Sequence, residues 1–175
     1  DKLTLKSREA VAQAQDIAAE RKHAEVAAEH LLSALLDQED GLVPRLIQRV
    51  GASQSAIQGA LEQHFSGLPA VSGTTLDIGL GNSLKRALED AVKEAGKFKD
   101  EFVSTEHLLL ALLGLRGAAA EALKLGGLDR EAIMQALGEI RGSQRVTDEN
   151  PEQKYEALQR YARDLTELAK KDKLD

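Results

Sequence analysis

The sequence contains no cysteine, no tryptophan and few other aromatic residues. Without cysteine, the chain can form neither a disulfide framework nor a thiolate metal ligand, which fits a reducing cytosol. Aromatic residues favour strands, and they make up only 3% of the chain. The chain is instead rich in Ala, Leu, Glu, Lys and Gln, which are strong helix formers. The composition therefore predicts an all-α protein.

The chain also lacks a positive balance of charge and a long apolar run. Its formal net charge is −6, whereas a nucleic-acid partner requires a basic face that neutralises phosphates. No stretch approaches the roughly 20 apolar residues that cross a bilayer, and no signal segment is present. We therefore expect no nucleic-acid or membrane partner and a cytoplasmic location. The first residue is Asp, and we expect the chain to be a piece of a longer protein.

Motifs for catalysis and cofactor binding are also missing. None of the four histidines lies four residues from another, so no zinc-binding helix is indicated. No Gly-x-Ser-x-Gly elbow occurs. Residues 79–85 read GLGNSLK, but a phosphate loop needs a different spacing and a preceding strand, and a flexible linker end is the alternative. We expect no catalysis and no cofactor in this chain.

A duplicated stretch dominates the sequence. Residues 104–113 read STEHLLLALL and residues 27–36 read AAEHLLSALL, 77 residues apart. Each copy predicts a short buried helix, with its Glu in the first turn, where the helix dipole favours an anion. In the second copy Ser104 or Thr105 can cap the helix, whereas the first copy has Ala27 and Ala28 there, and we expect its start to be less well fixed. A repeat of this kind predicts two similar structural units.

The remaining helical patterns repeat at nearly the same interval. The predicted helices cover residues 5–21, 28–37, 42–50 and 53–65, and their counterparts begin near residues 84, 104, 118 and 129. In the last of them we expect Ile133, Met134, Leu137 and Ile140 to face inward. The pattern predicts two pseudo-symmetric four-helix repeats, about 1–65 and 81–141, with a glycine-containing linker at 66–80.

The segment after residue 141 is polar and then strongly charged. An apolar stripe from Tyr155 to Leu168 predicts a helix over about 154–169. We interpret 142–175 as a linker and helix outside both repeats, which leads to a further module.

Two kinds of recognition site are candidates. Glu29 and Glu106 are each expected at the mouth of a helix, where a carboxylate can pair with a guanidinium and free amides can hold an anion. A simpler interpretation is a first-turn Glu that only favours the dipole.

The second candidate is an apolar groove between the two repeats that accepts an unfolded peptide. Its expected lining is Leu84, Leu88 and Val92, with Phe102 nearby. Ordinary core packing is the alternative for each of these side chains.

The duplicated TEHLLLALL motif resembles the N-terminal domain of the Clp ATPases. The tail is more specific: RVTDENPE at 145–152 and KYEAL at 154–158 resemble the segment that joins this domain to the first ATPase module of ClpB-type disaggregases. DLTELA at 164–169 and KLD at 173–175 do so too. The resemblance covers essentially the whole chain.

The resemblance implies a role that composition alone does not indicate. Members of this family are ATP-driven homohexameric chaperones that disaggregate unfolded or aggregated polypeptides together with the DnaK system. Their N-terminal domain is a non-catalytic module that engages the client. ATP and Mg belong to the AAA+ modules, and residues 1–141 would be the client-binding domain, monomeric when isolated.

The resemblance also implies site residues. Thr4, Asp100 and Glu106 match polar client-engaging positions of the family, and would form a rim beside the apolar groove. In the related ClpC branch, which unfolds clients for a protease, the motif glutamate recognises phosphoarginine, and this role maps onto Glu29 and Glu106. An adaptor- or phosphoarginine-binding domain is thus the alternative function, although Ala28 departs from the ClpC motif.

Overall fold

The computed structural model describes residues 2–72, 78–155 and 164–168. Within them the chain is helical, with two isolated bridges and no longer strand, which confirms the predicted all-α class. The named helices are α1 (Leu5–Glu20), α2 (Ala28–Asp37), α3 (Leu42–Val50), α4 (Gln54–Ser66), α5 (Asn82–Lys97), α6 (Thr105–Gly114), α7 (Ala118–Leu125) and α8 (Arg130–Arg141).

The two predicted four-helix repeats are both present. The first consists of α1 to α4 and the second of α5 to α8. Short helical pieces follow at 151–155 and 164–168, while residues 156–163 and 169 of the predicted tail helix lie outside the described residues. The same holds for residues 73–77 of the predicted linker.

The duplicated helices α2 and α6 lie at the centre of the molecule. They contact each other, and each also contacts helices of both repeats. Leu31 and Leu35 of α2, and Leu109 and Leu112 of α6, are 0% exposed. Their nearly continuous apolar sequence therefore reflects burial on all sides.

The two repeats exchange short backbone contacts at their N-terminal ends. Leu3 of the first repeat forms a parallel bridge with Val103 of the second, and Leu80 of the second forms one with Val26 of the first. The hydrogen bonds correspond: Thr4 N donates to Val103 O at 3.0 Å, and Gly81 N donates to Val26 O at 2.8 Å. Both pairs match at the 77-residue interval, so the pseudo-two-fold relation extends to individual hydrogen bonds.

A close approach of backbone and side chain joins the repeats on another side. A Cβ atom at Gly126, which follows α7, would lie 2.4 Å from Ile57 Cγ1 of α4. Ser53 N donates to Gly126 O at 2.8 Å. Glycine is therefore required at this position by packing rather than by backbone conformation, because its φ is −73°.

Two local predictions are wrong. The start of α2 is well fixed although Ala27 offers no side-chain cap, because Ala27 N donates to His30 Nδ1 and Ala28 N donates to Ser83 Oγ, both at 2.9 Å. Ser83 belongs to α5, so the partner comes from the other repeat. Met134 does not face inward as expected but is 37% exposed, since α8 buries Ile133 and Leu137 and turns Met134 toward solvent.

Candidate functional site

Each repeat carries one histidine that fastens the start of its central helix. Ser104 N donates to His107 Nδ1 at 2.9 Å, as Ala27 N does to His30 Nδ1 in the first repeat. In both copies the other ring nitrogen, Nε2, is left for a partner seven residues earlier in the chain. That partner differs between the repeats, and the difference creates two unlike clusters.

In the second repeat the histidine joins a buried cluster of charges. His107 Nε2 lies 2.7 Å from Asp100 Oδ2, and Arg141 donates to Asp100 Oδ1 at 2.8 Å. Arg141 also donates to Glu106 Oε2 at 3.3 Å. The Asp100, Glu106 and His107 side chains are 0% exposed and that of Arg141 is 5% exposed. Burial opposes ionisation of Asp100, but the hydrogen bonds from His107 and Arg141 outweigh it and lower its pKa to about 2.

In the first repeat the equivalent cluster is aromatic. His23 Nδ1 and His30 Nε2 are 2.8 Å apart, and Phe65 stacks on His30 with ring centres 5.0 Å apart. Burial, together with the charges of His23 and Arg21, lowers the pKa of His30 to about 4. The pair is therefore held as two neutral rings that share one hydrogen bond.

The repeats retain one cation–π contact but exchange its two residues. Arg21 lies over the ring of Phe65, 4.8 Å from its centre, and Arg141 lies over Phe98 at 5.0 Å. Residue 98 corresponds to 21 at the 77-residue interval, and 141 corresponds to 65 at 76, which fits a one-residue loss between the copies. Because the two residues are exchanged, the guanidinium of Arg141 lies in the interior of the second repeat.

The C-terminal segment closes over this charged cluster. Thr4 Oγ1 donates to Glu152 Oε1 at 3.2 Å. Burial and the nearby Glu106 raise the pKa of Glu152 to about 7, against hydrogen bonds from Thr4 and the Thr105 backbone. Tyr155 is 1% exposed, and its ring centre is 5.9 Å from the Arg141 guanidinium carbon. The segment after residue 141 thus packs on the body as far as Tyr155.

The structure brings the three predicted polar site residues together but not on the surface. Thr4 and Glu106 are 0% exposed, and the Asp100 side chain is 0% exposed. The prediction that they form an exposed rim is wrong, because the C-terminal segment covers Thr4 and the buried Arg141 holds the two carboxylates. Their role in client binding remains a prediction.

The predicted apolar groove is only partly accessible. Leu84 lies in the core at 0% exposure, which corrects its assignment to a groove. Leu88 is partly buried against that core, and Val92 is 57% exposed. Phe102 is half-buried, with Lys2 Nζ 5.9 Å from its ring centre. Leu88, Val92 and Phe102 are therefore the accessible members of the set.

The Glu29 side chain makes structural contacts with other helices of the domain. Its Oε2 accepts from Ala119 N at 3.0 Å, so that it caps the start of α7, and its Oε1 lies 3.5 Å from His64 Nε2. The sequence predicts a recognition group at the mouth of its own helix, but Glu29 serves a helix of the other repeat. Glu106, its equivalent, binds Arg141 instead.

Sequence reasoning missed Arg141, Glu152 and Tyr155. Arg141 is the last residue of a predicted helix, and its counterpart in the first repeat is Phe65, so the duplication conceals it. Glu152 and Tyr155 belong to a segment expected to leave the domain. The observable signal is the apolar Val146 and Tyr155 within a polar stretch, which their burial explains.

Within 2–72, 78–155 and 164–168, no group of three or more His, Cys, Asp or Glu side chains is placed to hold a metal ion. No helix in the described part of the chain is long and apolar enough to cross a membrane.

Comparisons with known proteins agree with this duplicated architecture. Residues 2–126 match the family described as the Clp repeat (R) N-terminal domain. The chain is 46% identical over 182 aligned residues to the chaperone protein ClpB of Nitratidesulfovibrio vulgaris, covering 99% of this chain and 21% of that protein. It is 38% identical to ClpB 1 of Synechococcus elongatus, covering 100% of this chain and 20% of that protein.

Solved structures share the fold. The Hsp104 N-terminal domain of Candida albicans superposes with a TM-score of 0.76 at 21% identity, over 87% of this chain and 99% of that one. The chain spans about a fifth of the length of the curated relatives named here. The family match over most of the chain and the shared two-repeat fold lead to one assignment: the chain belongs to the Clp repeat N-terminal domain family.

Proposed function

We propose that this chain is the non-catalytic, client-engaging N-terminal domain of an ATP-driven, cytoplasmic disaggregase that works with a DnaK-type chaperone system. The observation that carries the proposal is the similarity to ClpB chaperones along essentially the whole chain, at 46% identity to one of them. In the proposed parent, a homohexamer, ATP and Mg belong to AAA+ modules outside this chain. The isolated domain is monomeric.

The accessible apolar side chains support a client-binding surface. Val92 is 57% exposed, Leu88 is partly buried one helical turn before it, and half-buried Phe102 follows α5. Unfolded polypeptides expose apolar segments, and a shallow apolar surface binds many of them weakly, since little area is buried and a flexible chain must be ordered. Six copies on a hexamer supply avidity.

The test is a titration of the chain with an unfolded polypeptide, reduced carboxymethylated α-lactalbumin, followed by amide shifts in NMR spectra. We expect perturbations around Leu88 and Val92, and their loss in Val92→Asp. Leu125, which is 71% exposed on α7, provides the matched control: Leu125→Asp should leave binding intact. No perturbation at millimolar client, or equal loss in both variants, would contradict the proposal.

The same proposal assigns no nucleotide to this domain. Calorimetric titration with Mg-ATP should give no binding heat, and micromolar affinity would refute the assignment. The alternative adaptor or phosphoarginine function is less well supported, because Glu29 caps α7 and Glu106 is buried against Arg141.

A further inference from the structure

The segment from Val146 to Tyr155, irregular up to residue 150 and helical over 151–155, bonds to the body through its backbone and buries several side chains there. Glu101 N donates to Val146 O at 2.7 Å, and Leu5 N donates to Glu149 O at 2.8 Å. Val146 N in turn donates to Asp100 Oδ1 at 2.9 Å. Backbone hydrogen bonds can hold a peptide whatever its sequence.

Several side chains of the segment are buried against the body, that of Pro151 among them. Val146 is 0% exposed, Glu152 is 8% exposed and Tyr155 is 1% exposed, while Glu149 between them is exposed. In peptide-binding grooves, backbone hydrogen bonds supply affinity and pockets for side chains supply selectivity.

The seating of the segment is imperfect. Among the described residues, three buried side-chain atoms have no hydrogen-bond partner: Thr105 Oγ1, Glu152 Oε2 and Tyr155 OH. Glu152 and Tyr155 belong to the segment, and the backbone of Thr105 contacts Glu152. A buried polar atom without a partner is destabilising, because water is lost and nothing replaces it. The docked segment thus leaves polar atoms unpaired, and water can bond to these atoms once the segment has left.

The first repeat shows that the fold does not need such an occupant. There the amide of Ala28, equivalent to Thr105, is bonded by Ser83 of α5 rather than by a later segment. The central helix is complete within the two repeats on that side. In the described part of the chain, the second repeat alone has its helix start, at Thr105, covered by residues that follow α8.

We infer that residues 146–155 are the removable resident occupant of a peptide-binding pocket in the second repeat, and that a client reaches Thr4 and Glu106 when they leave. The pocket lies at Thr4, Thr105, Glu106 and Arg141. This inference rests on the proposed client-binding function. When the occupant is docked part of the time, the client affinity equals the intrinsic affinity multiplied by the fraction of pockets that are free.

The first experiment measures release of the segment without any client. In the full chain, Tyr155→Ala removes the ring that anchors the end of the segment. We expect hydrogen exchange at the amides of Leu5 and Glu101 to become at least about tenfold faster, because both donate to carbonyls of the segment. The amides of Val26 and Gly81 are the internal control, since they form the equivalent inter-repeat bonds away from it.

The second experiment supplies the occupant in trans. A synthetic peptide of residues 144–157 should bind the Tyr155→Ala chain and restore slow exchange at Leu5 and Glu101. The same peptide with its tyrosine replaced by alanine should bind at least about tenfold more weakly. Absence of binding by the parent peptide would overturn the inference, whatever the chain does with clients.

The third experiment connects the pocket to clients. Carboxymethylated α-lactalbumin should bind Tyr155→Ala more tightly than the unmodified chain, and the 144–157 peptide should compete. If the peptide binds but α-lactalbumin binds neither protein, the proposed client-binding function fails and the intramolecular site stands. Val146→Ser releases the other end of the segment as a second variant. Loss of the cooperative unfolding transition in both variants would show a structural segment and overturn the inference.

Discussion

Arg141 is the cation on which the buried charges of the second repeat depend. It pairs with Asp100 and Glu106, both fully buried. Removing it leaves Glu106 without its cation and leaves Asp100 with only His107 and the amide of Val146, in a poorly solvated site. Breaking a buried pair in this way costs about 3–5 kcal/mol, so urea denaturation should show Arg141→Ala to be destabilised by that amount.

The matched control for this prediction is Arg49. It pairs with Glu139 on the surface, where both side chains are nearly half exposed. Such pairs contribute about 0–1 kcal/mol, so Arg49→Ala should unfold close to the unmodified chain. Equal losses in the two variants would mean that the buried cluster has no special role.

The pair His23 and His30 should make stability depend on pH. The pKa of His30 is about 4 in the folded protein and 6.5 in the unfolded chain, so the unfolded chain binds the extra proton between these values. The contribution of His30 to the free energy of unfolding is fully present above pH 6.5. It is lost as the pH falls toward 4, by up to about 3 kcal/mol. Urea denaturation across this range should show the loss in the unmodified chain and a smaller one in His30→Gln. A parallel pH profile in His30→Gln would contradict the assignment.

Glu152 should give the opposite pH dependence to His30: docking of the segment should weaken as the pH rises. Its pKa is about 7 in the docked segment and 4.5 when free, so docking is favoured below pH 4.5 and weakens as the pH rises to 7. The penalty above pH 7 is about 3 kcal/mol at most. The carboxyl carbon shift of Glu152 should titrate near pH 7, and Glu152→Gln should keep the segment docked at pH 8. A midpoint near 4.5 would show that the carboxyl is exposed to water.

At the residue scale, sequence identified the right polar neighbourhood but not its exposure. Thr4, Asp100 and Glu106 do lie together, as the family resemblance implied. Their burial could not be predicted because it depends on Arg141 and Glu152, which come from distant parts of the chain. A motif specifies residue types, whereas the occupant that covers them is decided by tertiary packing.

The helices themselves were more predictable than the contacts that fix them. The near-continuous leucine run of α6 indicated burial on all sides, and Leu109 and Leu112 are 0% exposed, which confirms that expectation. The start of α2 was mispredicted because His30 takes the place of a capping side chain and because a second partner, Ser83, lies in another repeat. Local patterns predict periodicity, but hydrogen-bond partners across a 55-residue separation leave no local signal.

Leu109 provides a stability test at the scale of one helix. Truncation to Ala empties a site in a fully enclosed core, and such cavities cost about 2–5 kcal/mol. Leu109→Ala should lower the unfolding free energy by that amount in urea denaturation. Leu125→Ala, on an exposed position of α7, should change it by less than about 0.5 kcal/mol. A small effect at Leu109 would mean that α6 is not in the core.

The interface between the repeats can be tested at Gly126. A methyl group there would meet Ile57 at 2.4 Å, and overpacking of this kind costs about 1–3 kcal/mol. Gly126→Ala should therefore lower the midpoint of urea unfolding. At Gly138 in α8, an added methyl group would have no neighbour within 4 Å, and Gly138→Ala should stabilise the helix by about 0.5–1 kcal/mol. The same sign at both positions would contradict the packing described.

For the whole molecule, the order in which the C-terminal segment is bonded has a mechanical consequence. Tension applied to the chain beyond Tyr155 reaches that buried ring first, then the bond of Glu152 to Thr4, then that of Glu149 to Leu5, and Val146 last. Contacts loaded one after another yield at lower force than contacts loaded together. The segment would therefore detach one contact at a time, starting at Tyr155. A pull from the following chain can thus open the pocket and leave both repeats folded.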